Sequence, residues 1–140
     1  MTAPALEPIL PNITEDNAPY WESARAHALK LPYCMACERA FYPPQSRCPR
    51  CLGHRVDWRP VSGRARVHSW VVVHQVYDPS FKERVPYVVA AVELEEGPRL
   101  ITNVVNCPPG QVSGGMRVRA TYHDLTDEVA LVYFEPEGGI

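Results

Sequence analysis

Polar and apolar residues alternate at a period of two along most of the chain after residue 64. In residues 117–123, two Arg, a Thr and a His alternate with Val, Ala and Tyr. This alternation is typical of a strand with one buried face. Similar runs rich in Val, Ile, Tyr and Thr predict strands at 64–77, 86–95, 98–106, 116–123 and 129–135.

The turns between these runs also have recognisable sequences. Gly97-Pro98 and Gly114-Gly115 supply residues that favour reversal of the chain. Five short strands without a helix-length pattern among them favour a small barrel such as the OB-fold. A sandwich stays possible, although it usually needs more strands.

A helical spacing of apolar residues precedes the strands. Asn17 offers an N-cap, and Pro19 suits the first turn. We predict a short helix that ends before Pro32, preceded by a proline-rich arm over residues 1–13 that lacks regular structure. The apolar residues that recur at helical spacing are Trp21, Ala24, Ala28 and Leu31.

Four cysteines form two close pairs between this helix and the first strand: Cys34 with Cys37, and Cys48 with Cys51. Two residues inside each pair allow one tight turn to aim both thiolates at a single ion, so the spacing predicts a zinc ribbon. Four protein ligands leave no open position, so we predict one structural Zn²⁺ and no catalytic role for it. Two disulfides, or iron in a rubredoxin-type site, use the same residues and stay open as alternatives.

The predicted fold class is therefore mainly β. It comprises an N-terminal arm and helix over residues 1–32, a rubredoxin-like zinc ribbon over 33–59, and a C-terminal five-stranded OB-fold barrel over 60–136.

The net charge and the distribution of apolar residues argue against two classes of partner, nucleic acids and membranes. The chain has 14 Lys and Arg against 16 Asp and Glu, a formal charge of −2, so no global positive field attracts nucleic acid. No leader-like segment or long apolar run occurs, and we expect a cytoplasmic protein that does not bind a membrane.

Candidate catalytic groups are few. Cys107 stands alone in a predicted turn, and His68 and His74 share one face of the first predicted strand with Trp70 and Val72. No phosphate loop, metalloprotease helix or serine elbow is present. We predict no catalytic residue in this chain.

The order of several motifs resembles one protein family. These are Tyr20-Trp21, the two cysteine pairs, Tyr42-Pro43-Pro44, Val67-His68-Ser69-Trp70 and the segment from Val85 to Leu100. Together they resemble the zinc-ribbon and OB-fold acyl-CoA-associated family, long classed as a domain of unknown function. Where members of that family often have glycine after the second cysteine of each pair, this chain has Glu38 and Leu52, and we expect strained turns there.

The resemblance implies a small, non-catalytic partner of a thiolase-superfamily large subunit. The implied assembly is a two-plus-two hetero-tetramer that acts on a CoA thioester, either as a thiolase or as a thiolase-like aldolase. The large subunit would hold the reactive groups, and the small one would help to shape the acyl-CoA site.

Two sets of residues are candidates for these contacts. Tyr20 and Trp21 need an apolar surface to bury against, which the barrel or a partner can provide. The predicted partner-interface residues are Tyr20, Trp21, Phe81, Pro86 and Tyr87, and the predicted CoA contacts are Lys82 and Arg84.

Two other functions stay open. Zinc ribbons and OB barrels also serve in single-stranded nucleic-acid binding, and the chain has a candidate basic patch of Arg64, Arg66, Arg117 and Arg119. A free-standing acyl-CoA carrier would bind CoA without a partner.

Overall fold

The computed structural model describes residues 10–138 and confirms the predicted fold class. One helix precedes a three-stranded ribbon sheet, and a closed five-stranded barrel follows. Most of the predicted arm, residues 1–9, lies outside the described residues.

The helix, α1, spans Ala18–Arg25 and is shorter than the apolar spacing predicts. Asn17 occupies the N-cap position, but its side chain accepts a hydrogen bond from the Thr14 N–H at 2.7 Å rather than from the helix. The predicted continuation to Leu31 is wrong. The chain turns at His27, whose φ is 56°, and enters strand β1 (Lys30–Cys34) instead.

Pairing within the ribbon explains this early end. Strand β1 lies between β2 (Arg39–Ala40) and β3 (Val56–Pro60), and all five of its residues pair with β3. Leu31 is fully buried in the main core, while Cys34 faces a small separate cluster. Long-range strand pairing therefore overrides the helical spacing of residues 28–31.

The barrel strands follow the prediction closely, because their period-two pattern reflects one face buried in the barrel. Four agree to within two residues at each end, and the first ends at Val73 instead of residue 77. Their order around the closed barrel is β4-β5-β6-β8-β7. The strands are β4 (Arg64–Val73), β5 (Tyr87–Leu94), β6 (Arg99–Val104), β7 (Arg117–Asp124) and β8 (Ala130–Pro136). The inward residues that form the core include Val67, Val88, Val92, Leu100, Val118 and Phe134.

A β-bulge interrupts β4. Val67 pairs with Val92 and Ser69 pairs with Ala91, so His68 is left without a partner in the ladder. The prediction that His68 and His74 share a strand face is wrong, because the bulge changes which residues point inward and His74 follows the end of the strand.

The barrel is least tightly closed between β6 and β8. These parallel strands share a single register pair, Val104 with Phe134. Before that pair the two edges separate, and the Thr102 hydroxyl donates to the Val132 carbonyl at 2.9 Å across the space. A cleft opens at this place.

The helix is joined to the barrel through Tyr122 of β7. Its hydroxyl accepts a hydrogen bond from the Leu29 N–H at 3.0 Å, and its ring stacks on His27 with centroids 4.9 Å apart. His27 Nε2 lies 2.8 Å from Asp124 Oδ1. Burial raises the pKa of Tyr122, so its hydroxyl stays protonated over the physiological range.

Among the residues that the structure describes, no helix is long and apolar enough to cross a bilayer.

Candidate metal centre and binding surfaces

The fold brings the four predicted metal ligands together. The sulfur atoms of Cys34, Cys37, Cys48 and Cys51 all lie within 4.8 Å of one another. Sγ of Cys34 is 3.6 Å from that of Cys51, and Sγ of Cys48 is 3.9 Å from that of Cys37. A tetrahedral zinc with Zn–S bonds of about 2.3 Å requires sulfur–sulfur edges of about 3.8 Å. The donor set therefore fits zinc.

Backbone groups around the cluster favour thiolates. The Cys37 N–H points at Cys34 Sγ at 3.3 Å, and the Arg50 N–H points at Cys48 Sγ at 3.4 Å. Backbone N–H groups, chiefly that of Cys51, lower the pKa of Cys48 to about 7. Hydrogen bonding with the Cys51 sulfur, and then desolvation, raise the pKa of Cys37 to about 12.

Both cysteine turns adopt the conformation that favours glycine. φ is 56° at Glu38 and 60° at Leu52, which confirms the expected strain at these positions. The turns are alike, since the Glu38 N–H donates to the Cys34 carbonyl and the Leu52 N–H donates to the Cys48 carbonyl, both at 2.8 Å. Each turn therefore brings the two sulfur atoms of its own cysteine pair close together.

Leu52→Gly is expected to stabilise the ribbon. The side chain is 64 % exposed, so little apolar burial is lost, while relief of the left-handed conformation is expected to contribute about 0.5–1 kcal/mol. Thermal unfolding of the zinc-loaded protein measures the change. Leu52→Ala is the matched control, because it shortens the side chain but keeps the Cβ that causes the strain. Equal stability of the two variants would contradict the explanation.

A second feature is the cleft between β6 and β8, which measures about 510 Å³. It gathers residues that are distant in sequence, including Trp21 of the helix, Phe81 and Arg84 of the loop after β4, and Tyr133 of β8. Arg84 spans its mouth, with Nη1 3.4 Å from the Tyr133 hydroxyl and Cζ 5.4 Å from the centre of the Phe81 ring.

The remaining predicted contact residues have different positions. Tyr20 is only 8 % exposed and packs against Trp21 and Tyr42, so its assignment to a partner interface is corrected to a core role. Burial also raises the pKa of Tyr20 above the usual range. Pro86 and Lys82 are exposed beside the cleft but do not line it.

The sequence prediction missed an apolar surface on the outside of the barrel. After the bulge, Val71 of β4 pairs with Val89 of β5, and Ala91 of β5 pairs with Ile101 of β6. Val71 is 59 % and Ile101 69 % exposed. We define the outer apolar face as these four residues together with Tyr87 and Phe81, whose rings lie 5.7 Å apart at an interplanar angle of 33° near the end of the same strands. The available signal was the unbroken run Trp70-Val71-Val72-Val73, which departs from alternation.

The four arginines of the candidate basic patch lie opposite one another on β4 and β7. Arg64 pairs with Arg119, and Arg66 pairs with Arg117. Glutamates flank both pairs. Glu93 is next to Arg66 and Glu135 is next to Arg119, the latter at 3.3 Å, and the Glu95 and Glu137 backbones adjoin the other two arginines. Among the described ion pairs, that of Arg119 with Glu135 is the one that involves a patch arginine, and Glu93 pairs with Arg99. The other three arginines line a cavity together with Glu93, Glu95 and Glu137, and this mixture of charges is less favourable for a phosphate backbone than a wholly basic groove.

Two family models cover most of the chain. One, described as "ChsH2, rubredoxin-like zinc ribbon domain", matches residues 21–57, and the other, "ChsH2, C-terminal OB-fold domain", matches residues 58–123.

Individual proteins are similar as well. A DUF35 domain-containing scaffold protein of Methanothermobacter thermautotrophicus is 35 % identical over 68 % of this chain and 71 % of its own length. A probable enoyl-CoA hydratase alpha subunit of Thermomonospora curvata is 38 % identical over 90 % of this chain, which spans only 39 % of that relative. Among solved structures, a chain of the Ltp2-ChsH2(DUF35) aldolase is 37 % identical, with a TM-score of 0.81 over 91 % of this chain and 98 % of that one.

Proposed function

Because the chain belongs to the family of ChsH2-type zinc-ribbon and OB-fold proteins, we propose that it is a non-catalytic small subunit of an acyl-CoA enzyme. It docks onto the large subunit and helps to form the acyl-CoA site. The similar proteins include a hydratase subunit and an aldolase component, so this kind of chain accompanies more than one reaction.

The observation that carries this proposal is the outer apolar face. Val71 and Ile101 are more than half exposed on adjacent parts of one sheet surface, with Val89 and Ala91 between them. Contiguous exposed apolar residues on a folded protein are typical of an interface. A protein partner is the occupant that fits this surface, because protein interfaces combine an apolar centre with a polar rim. The paired arginines of β4 and β7 can supply such a rim beside the outer apolar face.

We place the partner in the thiolase superfamily, as a thiolase or a thiolase-like aldolase, in a two-plus-two assembly. Of the predicted interface residues, Trp21, Phe81, Pro86 and Tyr87 remain in this proposal, and Lys82 and Arg84 remain as CoA contacts. Phe81 and Tyr87 support it most directly, since their rings, 5.7 Å apart, extend the outer apolar face towards the cleft.

The proposed zinc is held by Cys34, Cys37, Cys48 and Cys51 and is structural. When bound, it supplies a tetrahedral cross-link and no Lewis-acid chemistry, because four thiolates occupy every position of the tetrahedron. Its part in function is to hold the ribbon on the barrel, and thereby the helix that lines the cleft.

We expect a neighbouring gene to encode a thiolase-superfamily subunit, and co-expression of the two proteins tests the proposal. We expect the two proteins to co-purify, with a mass that matches two copies of each by light scattering. The active-site residues of the large subunit would then identify the reaction. Separate elution of the two folded proteins, at micromolar concentrations and low salt, would contradict the proposed role.

A further inference from the structure

We propose that the basic patch on β4 and β7 binds a short cluster of carboxylates presented by the large subunit. This inference rests on the proposed function for the existence of that subunit, and it adds the chemistry of a second contact beside the outer apolar face. The expected partner segment has Asp or Glu at its centre and Lys or Arg on either side.

The strand register gathers the four arginines on the outer surface of the barrel. Arg64 lies opposite Arg119, and Arg66 lies opposite Arg117. All four are exposed and alternate with buried core residues, so their side chains point to solvent. Like charges directly opposite each other destabilise an antiparallel strand pair. Two such pairs on one face therefore favour an anion that lies between them.

The described residues of this chain use little of the hydrogen-bonding capacity of these guanidinium groups. Among the described ion pairs, only Arg119 of the four takes part, with Glu135 at 3.3 Å. Arg66 Nη1 makes a long contact, 3.4 Å, to the Gly115 carbonyl oxygen. A guanidinium group has five N–H donors and binds a carboxylate through two parallel, charge-assisted hydrogen bonds. Each of the other three arginines can therefore donate to a partner carboxylate.

Glutamates on the outer sides of the two strands limit how far a bound anion can extend. Across four neighbouring strands the exposed charges follow the order acidic, basic, basic, acidic. The acidic positions are Glu93 and Glu95 at the end of β5, and Glu135 and Glu137 at the end of β8. A phosphate backbone continues beyond the patch and meets these carboxylates, whereas a short acidic segment ends within it. Cations that flank the segment can pair with the glutamates.

The basic patch is continuous with the outer apolar face. On β5, Glu93 follows Ala91 by two residues, so both lie on the same side of the strand, about 7 Å apart. On β4, Arg66 precedes the bulge and Val71 follows it. A partner that covers the outer apolar face therefore reaches the arginines. The contact also excludes water, which strengthens the attraction between arginine and carboxylate.

Calorimetric titration of the zinc-loaded chain with the large subunit, over a series of NaCl concentrations, tests this inference. Arg66→Gln combined with Arg117→Gln is expected to weaken binding about tenfold at low salt, the effect of losing one charge-assisted hydrogen bond, and to make binding less sensitive to salt. Arg39→Gln combined with Arg55→Gln is the matched control, because these exposed ribbon arginines carry the same charge and do not line the cavity at the patch. We expect the control to bind nearly as tightly as the wild type. Thermal unfolding checks that both variants remain folded.

Carbodiimide coupling in the complex identifies the groups that the patch contacts. The lysine introduced by Arg117→Lys forms an amide with an adjacent carboxylate, and the water that is lost converts the carbodiimide to a urea. We expect mass spectrometry to locate this link at an Asp or Glu of the large subunit, in a segment that also carries Lys or Arg. Arg55→Lys should form no such link. Links from the patch lysine to carboxylates of this chain alone would overturn the proposal.

The outcomes separate this inference from the proposed function. If the wild-type proteins co-purify but the patch variant binds as tightly as the control, the inference fails and the proposed function stands. Equal weakening by both double variants would show an effect of net charge alone, with the same conclusion. Wild-type proteins that do not associate would contradict both. Self-association of this chain by light scattering, lost in the patch variant, would assign the patch to a second copy and overturn the inference.

Discussion

Cys48→Ser is expected to release the metal and unfold the ribbon while the barrel stays folded. The ribbon has almost no core of its own, since its buried cluster consists of Cys34, Phe41 and Cys48. Structural zinc contributes about 10–16 kcal/mol to the folding of small domains, and most of that depends on all four thiolates. A three-residue cluster cannot replace it. Zinc content measured by mass spectrometry should fall from one per chain to near zero.

Limited proteolysis distinguishes local from global unfolding in this variant. We expect rapid cleavage within residues 34–56 and a protected fragment from the barrel, whose core includes Leu31 of the ribbon but none of the four metal-binding cysteines. Cys107→Ser is the matched control, because this cysteine lies outside the cluster and packs at the edge of the main core. Full zinc content and native protease resistance in Cys48→Ser would contradict the metal assignment, and iron in the purified wild-type protein would correct the metal.

Ile101→Asp is expected to weaken binding of the proposed large subunit by about 30-fold or more, because buried apolar residues at the centre of an interface contribute about 2 kcal/mol each. Ile101 is 69 % exposed in the isolated chain, so the stability of this subunit should change little. Val71→Asp, on the same face, should have a comparable effect. Affinity measured by calorimetry or surface plasmon resonance, beside thermal unfolding, separates binding from folding.

Ile13→Asp provides the comparison for these variants. Ile13 is also an exposed apolar residue, at 46 %, but it precedes the helix and is not part of the outer apolar face. We expect its affinity for the large subunit to match that of the wild type. If Ile101→Asp and Val71→Asp also bind like the wild type, the partner does not dock on this face.

The local patterns in the sequence were sufficient for most of the secondary structure. Alternation along residues 117–123 predicted β7 because one buried face requires a period of two. The two cysteine pairs predicted the metal cluster for a similar reason, since each pair needs only one local turn. Glu38 and Leu52 showed in advance where that turn would have a positive φ.

Predictions failed where distant residues compete with a local pattern. Residues 28–31 have helical spacing, yet pairing with β3 draws Leu31 into a strand. The bulge at His68 depends on how β4 aligns with β5, so no alternation within β4 could reveal it. Tyr20 was assigned to a partner surface because the sequence does not show that Trp21 and Tyr42 enclose it.

By itself, the sequence determined the barrel strands, the ribbon and the four cysteines, because each depends on periods or spacings of a few residues. Only the tertiary structure decided the outer apolar face and the cleft. Val71 and Ile101 lie thirty residues apart in the chain and share a surface through the pairing of three strands. Trp21, Arg84 and Tyr133 meet only because the ribbon holds the helix against the gap where β6 and β8 separate. Such sites depend on barrel closure, which is a property of the whole fold.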